Sequence, residues 1–155
     1  MKHRIILPMF FLFAVSVFGC GNSKVTGKVT FSDGSPLTVG TVYFTNGTIS
    51  AYGKVNQNGE YKLGMIREGD GIPSGNYQIY FTGAMQPGTD PKFTKVSSEG
   101  ETYTQMVLAI DPRYSTPEKS GLTCEVQGSM KYDITVEKPG PGYKPALVVG
   151  DPGKD

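Results

Sequence analysis

Few side chains in this sequence have the type and spacing to do chemistry, and most of them argue against catalysis. The one histidine, His3, stands in a basic start, Lys2-His3-Arg4, ahead of an apolar run from Ile5 to Val17. That is the layout of a secretory signal, and the run is short of the roughly 20 residues a permanent membrane helix needs. Cleavage of the signal removes the only histidine, and with it every His-based zinc site and every Ser-His or Cys-His arrangement. Glu68 and Asp70, in Arg67-Glu68-Gly69-Asp70-Gly71, offer two carboxylates where calcium takes about six to eight oxygens. A glycine-rich turn is the expectation there. Lys28 could serve as an isopeptide nucleophile beside a buried acid, but its phase, opposite Val29, predicts a solvated lysine. Cys124 lies between Leu122 and Val126 on an apolar phase, which predicts a buried, inert thiol. Tyr43, Tyr52 and Tyr80 occupy the polar phases of their segments. They form a candidate ligand surface for a glycan or a protein, since tyrosine combines an apolar ring with a polar tip. Packing across neighbouring strands is the competing role for outward tyrosines.

Cys20 is the remaining reactive group, and its context is specific. Val17-Phe18-Gly19-Cys20 closes the apolar run and resembles the lipobox of bacterial lipoproteins, with Val17 and Gly19 fitting the pattern. The resemblance implies a signal peptide over 1–19, diacylation of Cys20 and cleavage before it. Two or three acyl chains, at about 0.8 kcal/mol per buried methylene, exceed the marginal binding of one chain. The expected partner is therefore a membrane, held through acylated Cys20, and the expected location is the cell envelope. The resemblance further implies that Gly21, where such lipoproteins carry an aspartate for inner-membrane retention, directs the protein to the outer membrane in a two-membrane cell.

The elements that must carry these residues are short strands. Of 155 residues, the 19 of the signal leave 136, enough for one domain. The signal holds two of the 15 basic residues and none of the 14 acidic ones, so the mature chain is near neutral and nucleic acid is not an expected partner. With Cys20 acylated, Cys124 has no intramolecular disulfide partner. Residues 20–24 read as the lipidated cysteine and a tether. Period-two alternation then begins, with Val25, Gly27, Val29 and Phe31 on one face. It recurs at Val42 and Phe44, at Ile49 to Val55 after the Asn46-Gly47 turn, at Tyr61 and Leu63, at Tyr77 to Phe81, at Leu122 to Val126, and at Tyr132 to Val136. Residues 83–102 show no sustained period and read as an exposed loop. Residues 103–110 read as an added strand. The tail, 139–155, is dense in Gly, Pro and Lys and is expected to be largely disordered.

Seven to eight strands with turn signals between them predict an all-β, antiparallel Greek-key β-sandwich over 25–138. Val25-Thr26-Gly27-Lys28-Val29, Asp33-Gly34-Ser35-Pro36-Leu37, Asn58 to Leu63 and Pro73-Ser74-Gly75-Asn76-Tyr77 resemble the carboxypeptidase-regulatory-like, transthyretin-like (prealbumin-like) domains. A group of small bacterial lipoproteins with that domain is closer, through Gly69-Asp70-Gly71-Ile72-Pro73, Arg113 to Pro117 and Ser120 to Thr123. The resemblance covers residues 24–137 and implies a fold and a surface location, with no assigned activity. The related hydroxyisourate hydrolases use histidines and a terminal Tyr-Arg-Gly-Ser motif, and the mature chain has neither. The expectation is a non-catalytic envelope lipoprotein with no cofactor and no metal, whose sandwich meets an envelope protein or, alternatively, a glycan.

Overall fold

In a computed structural model, which describes residues 21–97 and 99–143, the alternating segments pair into two facing sheets. The strands are β1 (Val25–Phe31), β2 (Thr41–Thr45), β3 (Ser50–Lys54), β4 (Glu60–Lys62), β5 (Gly75–Thr82), β6 (Met85–Pro87), β7 (Thr94–Val96), β8 (Thr102–Thr104), β9 (Met106–Leu108), β10 (Leu122–Val126), β11 (Met130–Lys131) and β12 (Ile134–Val136). One sheet has the order β10-β5-β2-β3, and all its pairings are antiparallel. The other is centred on β1, with β4 antiparallel on one side and β11 and β12 parallel on the other. β2 and β3 form the hairpin expected at Asn46-Gly47, and a bridge from Tyr52 to Gly64 carries the chain on towards β4. β5 then returns to lie beside β2. The resulting order, β5-β2-β3-β4, is a Greek key.

The inward phases are those of the alternation. Val29, Val42, Phe44, Ala51, Leu63, Ile79, Val126 and Val136 are fully buried, with Tyr61, Tyr77 and Phe81 between them. At about 1.5–3 kcal/mol for each large apolar side chain removed from water, this two-sheet interior is the main favourable term in folding. Ile110 and Tyr114 extend the core beyond the strands. Tyr114 meets Phe81 edge-on, and Arg113 lies 4.7 Å over the Tyr114 ring.

The sandwich closes through an interruption between β11 and β12. Tyr132 N–H still donates to Thr26 O (2.8 Å), but the Tyr132 carbonyl accepts the buried Tyr61 hydroxyl at 2.6 Å. The Lys28 N–H is taken up instead by the Asp133 carboxylate at 2.8 Å. A side-chain oxygen thus replaces a ladder carbonyl that has been redirected inward. Gly27 is required at this crossing, because a Cβ there would overlap the Tyr132 carbonyl oxygen.

One expected loop is not a loop. Residues 83–102, with the strand read over 103–110, form an antiparallel arm: β6 pairs with β9 and β7 with β8, and a single 3-10 turn, Pro91–Phe93, lies between β6 and β7. The expected single strand is broken at Gln105 into β8 and β9. In β7 and β8 every residue is exposed, so this outer pair has no buried face to impose an alternation, whereas β9 buries Val107. Backbone pairing alone defines the outer pair. Of the predicted disordered tail, residues 139–143 carry no strand or helix, and the rest lies outside the described residues.

Candidate ligand surface

The outer face of the β10-β5-β2-β3 sheet brings the three tyrosines together. Tyr43 on β2 is directly opposite Tyr52 on β3 and Tyr80 on β5, so the three form one row across the sheet. Tyr43 and Tyr80 stack with centroids 5.0 Å apart and planes 20° from parallel; Tyr43 and Tyr52 are tilted, at 6.2 Å. Stacked rings turn faces towards each other, so the row is a ridge and not a flat platform. Glycines bound it. Tyr52 bridges Gly64, and Gly121 immediately precedes β10, whose Leu122 pairs with Ile79 next to Tyr80. All three tyrosines are half-buried, and the Tyr52 hydroxyl donates to Ile66 O at 3.4 Å.

Two residues further along the same strands the face changes character. Thr45, Asn46, Asn76, Gln78, Thr123 and Glu125 line an open depression of about 500 Å³. The register places Thr45 opposite Gln78, Gln78 opposite Thr123, and Asn76 opposite Glu125. Amides and hydroxyls both donate and accept, whereas the carboxylate only accepts. Gln127 Nε2 donates to Glu125 Oε1 from outside the depression. The aromatic ridge and this polar depression are adjacent on one sheet face. Strand phase put the three tyrosines on outward faces but did not mark the depression, although Thr45, Gln78, Thr123 and Glu125 lie on the same outward phases.

The other candidate residues are occupied structurally. Asp70 receives three consecutive backbone N–H groups, from Met65 (2.7 Å), Ile66 (3.2 Å) and Arg67 (3.0 Å). These bonds, the one from Arg67 foremost, hold its carboxyl below the usual aspartate range. The glycine-rich turn is therefore tied by its own aspartate, and Glu68 is exposed beside it. Among the described residues no three His, Cys, Asp or Glu side chains gather as a metal would require. Lys28 is half-exposed and Cys124 is buried, with desolvation pushing the thiol up. Cys20 lies outside the described residues. The chain next to it is ordered early: Ser23 and Ile72 exchange two backbone hydrogen bonds, at 2.7 and 2.9 Å.

Fold and face together define a β-sandwich module with one aromatic-ridged, polar outer sheet. No family model matches the chain, and no curated protein matches it. Among solved structures it is similar to the major pilin subunit of Bacillus cereus, at 18% identity and a TM-score of 0.42, covering 76% of this chain and 30% of that one. A DUF3823 family protein from Bacteroides ovatus is similar at 18% identity and a TM-score of 0.38, over 74% of this chain and 43% of that one. A 9R-lipoxygenase from Cyanothece follows at 17% identity and 0.34, over 80% and 17%. The chain spans less than half the length of each. Similarity at this level decides nothing about activity or partners.

Proposed function

We propose that the chain is a lipid-anchored, non-catalytic protein of the cell envelope, probed through the outer face of its four-stranded sheet by a partner at the cell surface. The observation that carries the reading is the shortness of the tether. Pairing of the domain begins at Ser23, so acyl chains on Cys20 would hold the sandwich against the bilayer. The absence of histidine after the signal supports a non-catalytic role. Acyl labelling and detergent-phase partitioning, both lost in Cys20→Ala, are the expected results. A wild-type protein that stays water-soluble and takes up no acyl label refutes the anchor. An outer-membrane destination and a place among the carboxypeptidase-regulatory-like lipoproteins belong to the same proposal. Two of the segments that carry the resemblance support the latter by meeting in space: Thr26-Gly27-Lys28 pairs with Glu60-Tyr61-Lys62.

A second reading, a carbohydrate-binding module, is favoured by one observation. Hydroxyl- and amide-bearing side chains line a depression directly beside aromatic rings, as a sugar with polar edges and apolar C–H patches requires. Titration of the purified full chain with envelope glycans tests it. Saturable binding weakened by Gln78→Ala or Asn76→Ala is expected, and no binding at millimolar glycan would sink this reading while leaving the anchor intact.

A further inference from the structure

The most exposed large apolar side chain among the described residues is Ile66, 81% accessible, and Met65 beside it is also exposed. An isoleucine displayed this way on a mobile loop would mean little, but this turn is braced. The three N–H bonds to Asp70 fix Met65, Ile66 and Arg67, and Asp70 N–H closes the turn on Arg67 O at 3.1 Å. The turn is also joined to the tether. Gly71, in the left-handed region at φ 84°, lies so close to Ser23 that a Cβ would meet its carbonyl carbon and oxygen. Ser23 pairs with Ile72, and Asn22 Nδ2 donates to Asp70 O at 3.4 Å. Asn22 is two positions from Cys20 in the sequence, a reach of about 7 Å when fully extended. The exposed tip and the lipid-bearing residue therefore belong to the same end of the sandwich.

We propose that the turn Met65–Asp70 is a second membrane contact, in which Ile66 and Met65 enter the interface of the same bilayer that holds acylated Cys20. This rests on the lipid-anchor reading. Its chemistry is apolar and not electrostatic, because the cations Lys24 and Arg67 are matched by Glu68 and Asp70. Apolar groups of interfacial segments sit about 5–10 Å into the headgroup and acyl boundary. A contact of that kind would fix the orientation of the sandwich, which a flexible tether alone leaves free.

The test uses the full lipoprotein in phosphatidylcholine vesicles with and without an anionic lipid, with an environment-sensitive fluorophore at Glu68→Cys or, as the reference, at Lys119→Cys, and nitroxide-bearing lipids as quenchers. Both sites are exposed, and the buried Cys124 is replaced by alanine in both. Quenching at residue 68 several-fold above that at 119, unchanged at high salt and lost in Ile66→Asp, is expected. Protein that co-floats with vesicles but shows equal, weak quenching at both sites overturns the contact and leaves the anchor standing. Quenching that requires anionic lipid and disappears at high salt overturns it too. Protein that carries no acyl chain and does not co-float overturns the anchor, and this proposal with it.

Discussion

Removing one hydroxyl, in Tyr61→Phe, tests how the sandwich is closed. The hydroxyl is buried and donates at 2.6 Å to the Tyr132 carbonyl, the group turned out of the ladder where β11 gives way to β12. Burial is the main reason the Tyr61 phenol is pushed well above its ordinary value. Phenylalanine keeps the ring contact with Phe44 but leaves that carbonyl facing a ring edge without a donor. An acceptor stranded in this way costs about 1–3 kcal/mol. For a domain of this size each kcal/mol moves the melting temperature by about 3–5 °C, so a fall of roughly 3–15 °C is expected. Two matched variants set the scale. Tyr132→Phe removes a hydroxyl bonded to the exposed Thr123 carbonyl at 2.8 Å, where water takes over, and should cost about 0.5 kcal/mol. Tyr77→Phe, which loses the bond to Pro73 O, should fall between the two. Thermal and urea unfolding of the three variants give the comparison. A Tyr61→Phe protein as stable as wild type, or no less stable than Tyr132→Phe, would show that the redirected carbonyl is not held by this bond.

Gly27→Ala should be harsher than any of these, because its Cβ would collide with backbone and not with a movable side chain; failure to accumulate folded protein, or cooperativity lost in urea, is the expected result. Stability should fall on acidification. Lys138 beside Asp33, the Arg67 N–H at Asp70 and Lys131 beside Asp133 hold these carboxyls below the ordinary value of 3.8. A lowered folded-state pKa contributes stability that is present above the unfolded value and lost as pH drops through the folded one. The melting temperature should therefore fall below about pH 4, and Asp70→Asn should be less stable at neutral pH with a shallower acid slope. Tyr80→Ala, which removes one stacked partner of Tyr43, should cost about 0.5–1.5 kcal/mol for the aromatic pair beyond its buried area, read by urea titration. Cys124 should react with a thiol reagent only under denaturant, since burial both hides the thiol and raises its pKa.

Strand phase was legible wherever one face is buried and the other wet. Val42 and Phe44 are fully buried with Tyr43 between them facing outward, and the same contrast runs through β5 and β10. It failed where that contrast is absent. β7 and β8 are exposed throughout, so no period marked them, and their pairing of Lys95 with Tyr103 follows from backbone geometry. The parallel partnership of β1 with β11 and β12 was also hidden, because partners 105 positions apart leave no turn signal between them. The short helical turns at Pro112–Ser115 and Pro117–Ser120 are too brief for a period. Asp111-Pro112 and Thr116-Pro117, each a capping residue followed by proline, were the available signal. For the candidate surface, the tyrosine phases gave the row, but ring stacking depends on rotamers that phase does not specify.

β5 relates the two unexplained surfaces to one another. It begins at Gly75, next to Ser74, whose hydroxyl lies 3.4 Å from that of Ser23 in the tether. It ends at Thr82, and the chain enters the arm at Met85. Eight residues of strand extend about 26 Å, so the braced turn with Ile66 and the arm with exposed Val96, Tyr103 and Met106 occupy opposite poles. The aromatic ridge and polar depression lie on the sheet between them, on β2, β3, β5 and β10. A bilayer contact at the Ile66 pole would therefore leave both the sheet face and the arm in solvent. Under the proposed anchoring, docking through the arm would place Ser23 some 26 Å from the lipid, farther than three residues of chain from Cys20 extend. Were Cys20 acylated as proposed, only the apolar tip beside the tether would share its membrane, and the arm would face away from it.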